Sequence, residues 1–132
     1  MQYAVFDPRT QEMQISSAGM PGPLHLSAGG CRVLEIQGIP PGLFDPSVSY
    51  DISKIRIDAG DSVLFFTDGL SDAFDTNGNS FGIERLQGIC EGSRQSSPTE
   101  LLGRVFSEVE RFAQGQPQHD DMAAAVFRCC DA

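Results

Sequence analysis

Residues 63–72 read VLFFTDGLSD. Val63 to Phe66 is an apolar run that reads as a buried strand, and it stops at Thr67 to meet an acid and a glycine, Asp68-Gly69. A turn is the plain reading of that pair. A metal site is the sharper one. An acid at a strand terminus is held rigidly yet faces solvent, and a glycine after it lets a carbonyl and metal-bound waters approach without a Cβ clash. A second acidic station, Asp120-Asp121, stands immediately before another apolar run, Met122 to Phe127. Acids at strand ends are most often caps or turn formers, so the residues alone leave both readings open.

The chain around these stations has 132 residues, which suits one compact domain. Forty per cent hydrophobic residues with nine Phe are enough for a core, while fourteen Gly and eight Pro imply many tight connections between short elements. Eighteen acids against nine bases give a net charge of −9, which repels a phosphate backbone and excludes nucleic acid as a partner class. The same acidity suits a hard divalent cation. Cys31, Cys90, Cys129 and Cys130 form no CxxC pair and no zinc-like spacing, so a reduced, cytoplasmic protein is expected. No apolar run approaches the ~18 residues of a membrane helix, and no signal peptide is apparent.

Along the chain, YAVF (3–6) and EMQIS (12–16) predict an antiparallel hairpin across the turn residues DPRTQ (7–11). AGMPGP (18–23) breaks regular structure, and CRVLEIQ (31–37) is the next strand candidate. GIPPGLFDP (38–46) predicts a loop that docks Leu43 and Phe44. ISKIRI (52–57) puts Ile55 and Ile57 on one face, with Lys54 and Arg56 on the other. The second half turns helical. Ile83, Leu86, Ile89 and Cys90 have helical spacing, with Gly92 placed as a C-cap. Ser97-Pro98-Thr99-Glu100 is a capping box, followed by an apolar stripe from Leu101 to Ala113 that Gly115 can close. The run Met122–Phe127 reads as a buried strand.

Three motifs mimic chemistry. Gly78-Asn79-Ser80-Phe81-Gly82 matches the G-x-S-x-G nucleophile elbow but follows a polar loop rather than a strand. Asp75-Thr76-Asn77-Gly78-Asn79 begins like a calcium loop, yet Ser80 stands where glycine is needed and Leu86 where the bidentate Glu belongs. Asn77-Gly78 is instead a turn needing positive φ. His25 and His119 make no zinc site, and both read as surface or loop residues.

Four segments in order resemble one family. YAVFDPRTQEMQISSAGMPGP is similar to a strand hairpin ending in AGH-P-P, and GIPPGLFDPSVSY to a Gly-x-Pro-Leu-Gly-loop-Tyr segment. GDSVLFFTDGLSDAFDTNGNSFGIERL resembles GD-x-L-x-x-YTDG-x-x-EA…G-x-x-FG-x-x-RL, and HDDMAAAVFR a closing DD-x-T strand. These are elements of the bacterial PPM-type (PP2C-like) serine/threonine phosphatases of the SpoIIE/RsbU kind, metal-dependent enzymes acting on regulators such as anti-anti-sigma factors.

The resemblance implies that Asp68 and the Gly69 carbonyl bind metal and that Asp120 holds a second ion. Asp121 is a neighbouring acid in the same set, and Asp68 and Asp120 are the catalytic pair. The implied chemistry is hydrolysis of a phosphoserine or phosphothreonine by water bridging two Mn²⁺ or Mg²⁺ ions. The family's upstream Asp-x-x-x-Asp and GD-x-x-GHG motifs are not found here, Met20 replaces the His of AGH, and Ala123 replaces the usual Thr.

Residues 1–132 are therefore expected to be one partial domain, the C-terminal portion of such a phosphatase, with an incomplete metal site. The expected fold is α/β (α+β): part of an αββα sandwich, mostly antiparallel sheet with two helices on one face. Exposed sheet edges make self-association expected. The alternative function is a catalytically inactive module of this fold that binds a regulatory protein partner.

Overall fold

The structure, a computed structural model, describes residues 1–43, 47 and 49–131. The predicted hairpin forms: β1 (Gln2–Asp7) pairs antiparallel with β2 (Glu12–Ser17), setting Val5 opposite Gln14 and Phe6 opposite Met13. Asp7 fixes its turn by accepting the Arg9 backbone N–H at 2.9 Å. β5 (Ser53–Arg56) lies on the other side of β2, which completes a three-stranded sheet in the order β1-β2-β5. Ile57 is buried and Lys54 and Arg56 are exposed, as the alternation predicts.

A second, four-stranded sheet has the order β4-β3-β6-β7, every neighbour antiparallel: β3 (Leu24–Ser27), β4 (Gly30–Val33), β6 (Ser62–Phe66) and β7 (Ala124–Arg128). The run of the opening stretch is the central strand β6, and its continuous apolarity follows from having a core on each face. Val63 and Phe65 point to the other sheet, joining Met13, Ile15, Ile57 and Phe127. Leu64 and Phe66 point to the helices, joining Leu86, Leu101, Val105 and Val109. Phe6 and Phe127 pack 4.9 Å apart between centroids and tie the two sheets together.

Two helices cover the outer face of the second sheet, α2 (Ile83–Gly92) and α3 (Pro98–Ala113). The α/β, largely antiparallel architecture is the one expected. The capping box is present in both directions: Ser97 Oγ accepts from Glu100 N at 3.2 Å, and Glu100 Oε2 accepts from Ser97 N at 2.7 Å. No helix among the described residues is long and apolar enough to cross a membrane.

Several expectations need correction. β3 lies in a stretch to which the sequence assigned no element, because only five residues separate Pro23 from the next glycines. CRVLEIQ is a strand only to Val33. Beyond it Leu34 N donates to Pro23 O at 2.8 Å and Ile36 N to Leu34 O at 2.9 Å, so both side chains reach the inter-sheet core outside a ladder. Leu43 is exposed rather than docked, and Phe44 lies outside the described residues. A third helix, the short α1 (Asp68–Ser71), follows β6 directly. Gly92 is the last residue of α2 and Ser93 its cap, while α3 is closed by Gln114, itself left-handed at φ 49° ahead of Gly115. The turn at 77–78 forms with positive φ at Gly78 alone, and Asp75 clamps it by accepting Asn77 N and Asn79 N, each at 2.8 Å.

Candidate metal centre

β6 delivers its last residue, Phe66, into the core, and Thr67 then changes the direction of the chain. Thr67 is extended and its hydroxyl does not cap α1. It clips the chain to the segment before β7. Thr67 Oγ1 donates to Asp121 O at 2.7 Å and accepts from Ala123 N at 3.0 Å, while Thr67 N donates to Ala123 O at 3.0 Å. Residues 54 and 56 positions apart in sequence are thereby brought into contact.

Gly69 is the tightest part of that contact. A Cβ added there would lie 2.3 Å from Asp121 O and 3.2 Å from Asp120 O. The missing side chain after Asp68 is thus required by packing. The 68–69 backbone lies directly on the 120–121 backbone, and any larger residue separates the two acidic stations.

Asp68 is exposed on the first turn of α1, where its own carbonyl accepts Asp72 N at 2.8 Å and Ser71 Oγ at 3.1 Å. Its side of the crossing opens into a groove walled by Gly19–Gly22 and Ile36–Ile39, so Met20, which stands where the resembling motif has His, shares a groove with Asp68. Asp120 and Asp121 are also exposed, with Asp120 Oδ1 accepting Asp121 N at 2.7 Å. Asp120 and Gly69 line a different cavity of about 560 Å³, together with Asp72, Phe74, Phe106 and His119. The crossing of the two segments is therefore a ridge between two concave surfaces.

The four predicted residues fit a partial site for a hard divalent ion. They offer three exposed carboxylates about a backbone crossing that tolerates only glycine at position 69. They do not make a full one: among the described residues no group of three or more His, Cys, Asp or Glu is arranged to hold a metal.

Other groups with chemical potential lie elsewhere. His25, read as a surface or loop residue, is buried in β3 with Nε2 2.9 Å from buried Asp61, whose Oδ2 also accepts Asp58 N at 3.1 Å. Asp61 precedes β6 and so sits at its far end from Asp68. The alternation in LHLS was the available signal, but the strand is too short to be read from it. His119 does stay exposed, edge-on to Phe74. Cys31 and Cys90 meet between β4 and α2, where the thiol–thiol hydrogen bond lowers the pKa of Cys31 and raises that of Cys90. All four cysteines are free.

The comparisons with known proteins agree with this architecture. The family model for Stage II sporulation protein E (SpoIIE) matches residues 1–129. The chain belongs to the SpoIIE family. Protein IcfG of Synechocystis is 31% identical to it over 84 residues, which are 63% of this chain and 13% of IcfG. The phosphatase domain of SpoIIE from Bacillus subtilis, in a crystal presoaked with Mn, superposes with a TM-score of 0.79 at 14% identity, covering 100% of this chain and 57% of that one. The structure of the RsbU and RsbW domains of Rv1364c from Mycobacterium tuberculosis gives 0.74 at 21% identity, covering 99% of this chain and 36% of that one. This SpoIIE-family chain accordingly has the PP2C-like phosphatase fold. It spans little more than half the length of the B. subtilis phosphatase domain.

Proposed function

We propose that this chain is the C-terminal part of a metal-dependent protein serine/threonine phosphatase in bacterial signalling, with Mn²⁺ or Mg²⁺ as cofactor. Asp68, the Gly69 carbonyl and Asp120 would hold the metal, and Asp121 is the adjacent acid. A complete site would need more ligands than these residues supply. The observation that carries the reading is the crossing at Gly69, which puts two acidic stations in backbone contact at a position where the packing admits no Cβ. The metals, when bound, lower the pKa of a water and neutralise charge on the phosphoryl oxygens. The chain's own part is to fix the carboxylates: Thr67 locks the 121–123 segment against the end of β6, and the rigid sheet sets where Asp68 emerges. A phosphorylated regulatory protein such as an anti-anti-sigma factor is the substrate class, and the cytoplasm is its place of action.

A second reading, an inactive module that binds a regulatory protein, is favoured by Met20, which puts a thioether in the groove beside Asp68. Calorimetric titration of Mn²⁺ into the chain, Asp68→Asn and Asp120→Asn separates the two. The phosphatase reading expects saturable binding to the parent chain that is lost in both variants. A folded chain that binds Mn²⁺ equally well after both substitutions overturns the assignment of these aspartates, whereas a folded chain that binds none means that the site needs further ligands or has been abandoned, and the partner-binding module then leads.

A further inference from the structure

At the end of β6 and β7 opposite the candidate metal centre lies a small cavity of about 260 Å³, walled by Gly60, Asp61, Arg94, Gln95 and Arg128. Ser62 to Phe66 span the sheet between the two places, roughly 17 Å at about 3.3 Å per residue. Arg128 is fixed in its wall. Its Nε donates to Ser62 Oγ at 2.8 Å and its Nη1 to Ser96 O at 2.6 Å, whereas Nη2 is buried with no hydrogen-bond partner. Neither Arg128 nor Arg94 belongs to an ion pair among the described residues. The cavity's own acid is already committed, because Asp61 Oδ2 faces His25 and the Asp58 N–H.

This arrangement is costly as it stands. A guanidinium stays charged at any physiological pH, and a buried N–H left without an acceptor loses its hydration with nothing in return. A second guanidinium on the same cavity adds like-charge repulsion. A water can accept from Nη2 but brings no negative charge to a wall that, among the described residues, sets one carboxylate, Asp61, against two arginines. An oxyanion answers both demands, since its oxygens accept charge-assisted hydrogen bonds from the guanidinium fork. The cavity, about 260 Å³, has room for a phosphate group.

We propose that Arg94 and Arg128, with Gln95 at the rim, form a binding site for a phosphate group, separate from the metal centre. The phosphate is either free inorganic phosphate or a phosphorylated side chain of a protein, and both are met by the same two guanidinium groups. The site does not depend on the phosphatase reading, because none of its residues belongs to the metal centre.

The test is titration of sodium phosphate into the isotopically labelled chain at constant ionic strength with EDTA present, followed by amide and arginine Nε–H resonances. A parallel titration uses sodium chloride. Saturable shifts at residues 60, 61, 94, 95 and 128 with phosphate alone are expected. Arg94→Gln, at an exposed position that leaves the core intact, is expected to weaken binding about tenfold or more. Asp68→Asn should leave the phosphate affinity unchanged. Equal shifts with both salts, or unaltered affinity in Arg94→Gln, overturn the site. A phosphoserine-containing peptide forms the second arm. Tighter binding of the peptide than of inorganic phosphate identifies a phosphoprotein as the source, and equal or weaker binding identifies the free ion.

Discussion

At the scale of single residues, Gly69 makes the sharpest demand. Gly69→Ala places a methyl group 2.3 Å from the Asp121 carbonyl oxygen, and that atom is backbone held by Thr67 and β7, so it cannot swing aside. The expected cost is about 1–3 kcal/mol of stability, read as a lower urea midpoint, because overpacking a fixed contact forces a backbone shift. An unchanged midpoint would mean the crossing is looser than it looks. Asp75 gives a pH-dependent prediction. The Asn79 side chain and amide, followed by the Asn77 amide, hold its carboxyl below the ordinary 3.8. A carboxyl lowered in the folded state contributes stability above 3.8 that disappears as pH falls through its folded value. Asp75→Ala should therefore lower the urea midpoint at neutral pH, and the difference from the parent chain should shrink as the pH is taken below about 4. A difference independent of pH would put the Asp75 contribution in packing. Sequence made the Asp68-Gly69 pair stand out, but its reason, contact with a backbone far along the chain, is a tertiary fact. His25 was misjudged for the same cause. Its partner Asp61 is 36 positions away, and the alternation in LHLS is too short to announce burial.

At the scale of elements, α3 is set by its first turn. Ser97 and Glu100 satisfy each other's backbone N–H groups, Pro98 supplies a preset φ, and Leu101, Val105 and Val109 then fall on one buried stripe. Ser97→Ala is expected to lower stability by about 1 kcal/mol in chemical denaturation. A loss near zero would show that core packing alone holds the helix start. α3 and the first hairpin were readable because their signals are local: a cap, a stripe of period 3.6, a turn between two alternating runs. β3 was not, since four residues between glycines and prolines carry too little periodicity, and its strand state is imposed by pairing with β4 and β6. β6 was readable as a strand but not as the shared wall of two cores. Val63 and Leu64 look alike in sequence and serve opposite faces.

At the scale of the whole molecule, the layers are unequal. The four-stranded sheet is covered by the other sheet on one face and by α2 and α3 on the opposite one. The three-stranded sheet ends in β1, which among the described residues pairs only with β2 and carries Tyr3 and Val5 on its exposed face. A free edge with apolar side chains beside it is a template for another strand, and β1 of a second copy is a self-complementary antiparallel partner. The net charge of −9 opposes that encounter. In ordinary buffer, with a Debye length of ~8 Å, this repulsion is only partly screened across a paired edge, so association is expected to rise with added salt. Sedimentation velocity should then show a dimer that grows with protein concentration and with salt. Val5→Lys should return the chain to monomer without lowering its melting temperature, because a lysine there keeps its ammonium in water and makes paired edges repel. A parent chain that stays monomeric at high concentration and high salt would remove the edge as an interface, since screening would by then have lifted the one force that holds the copies apart.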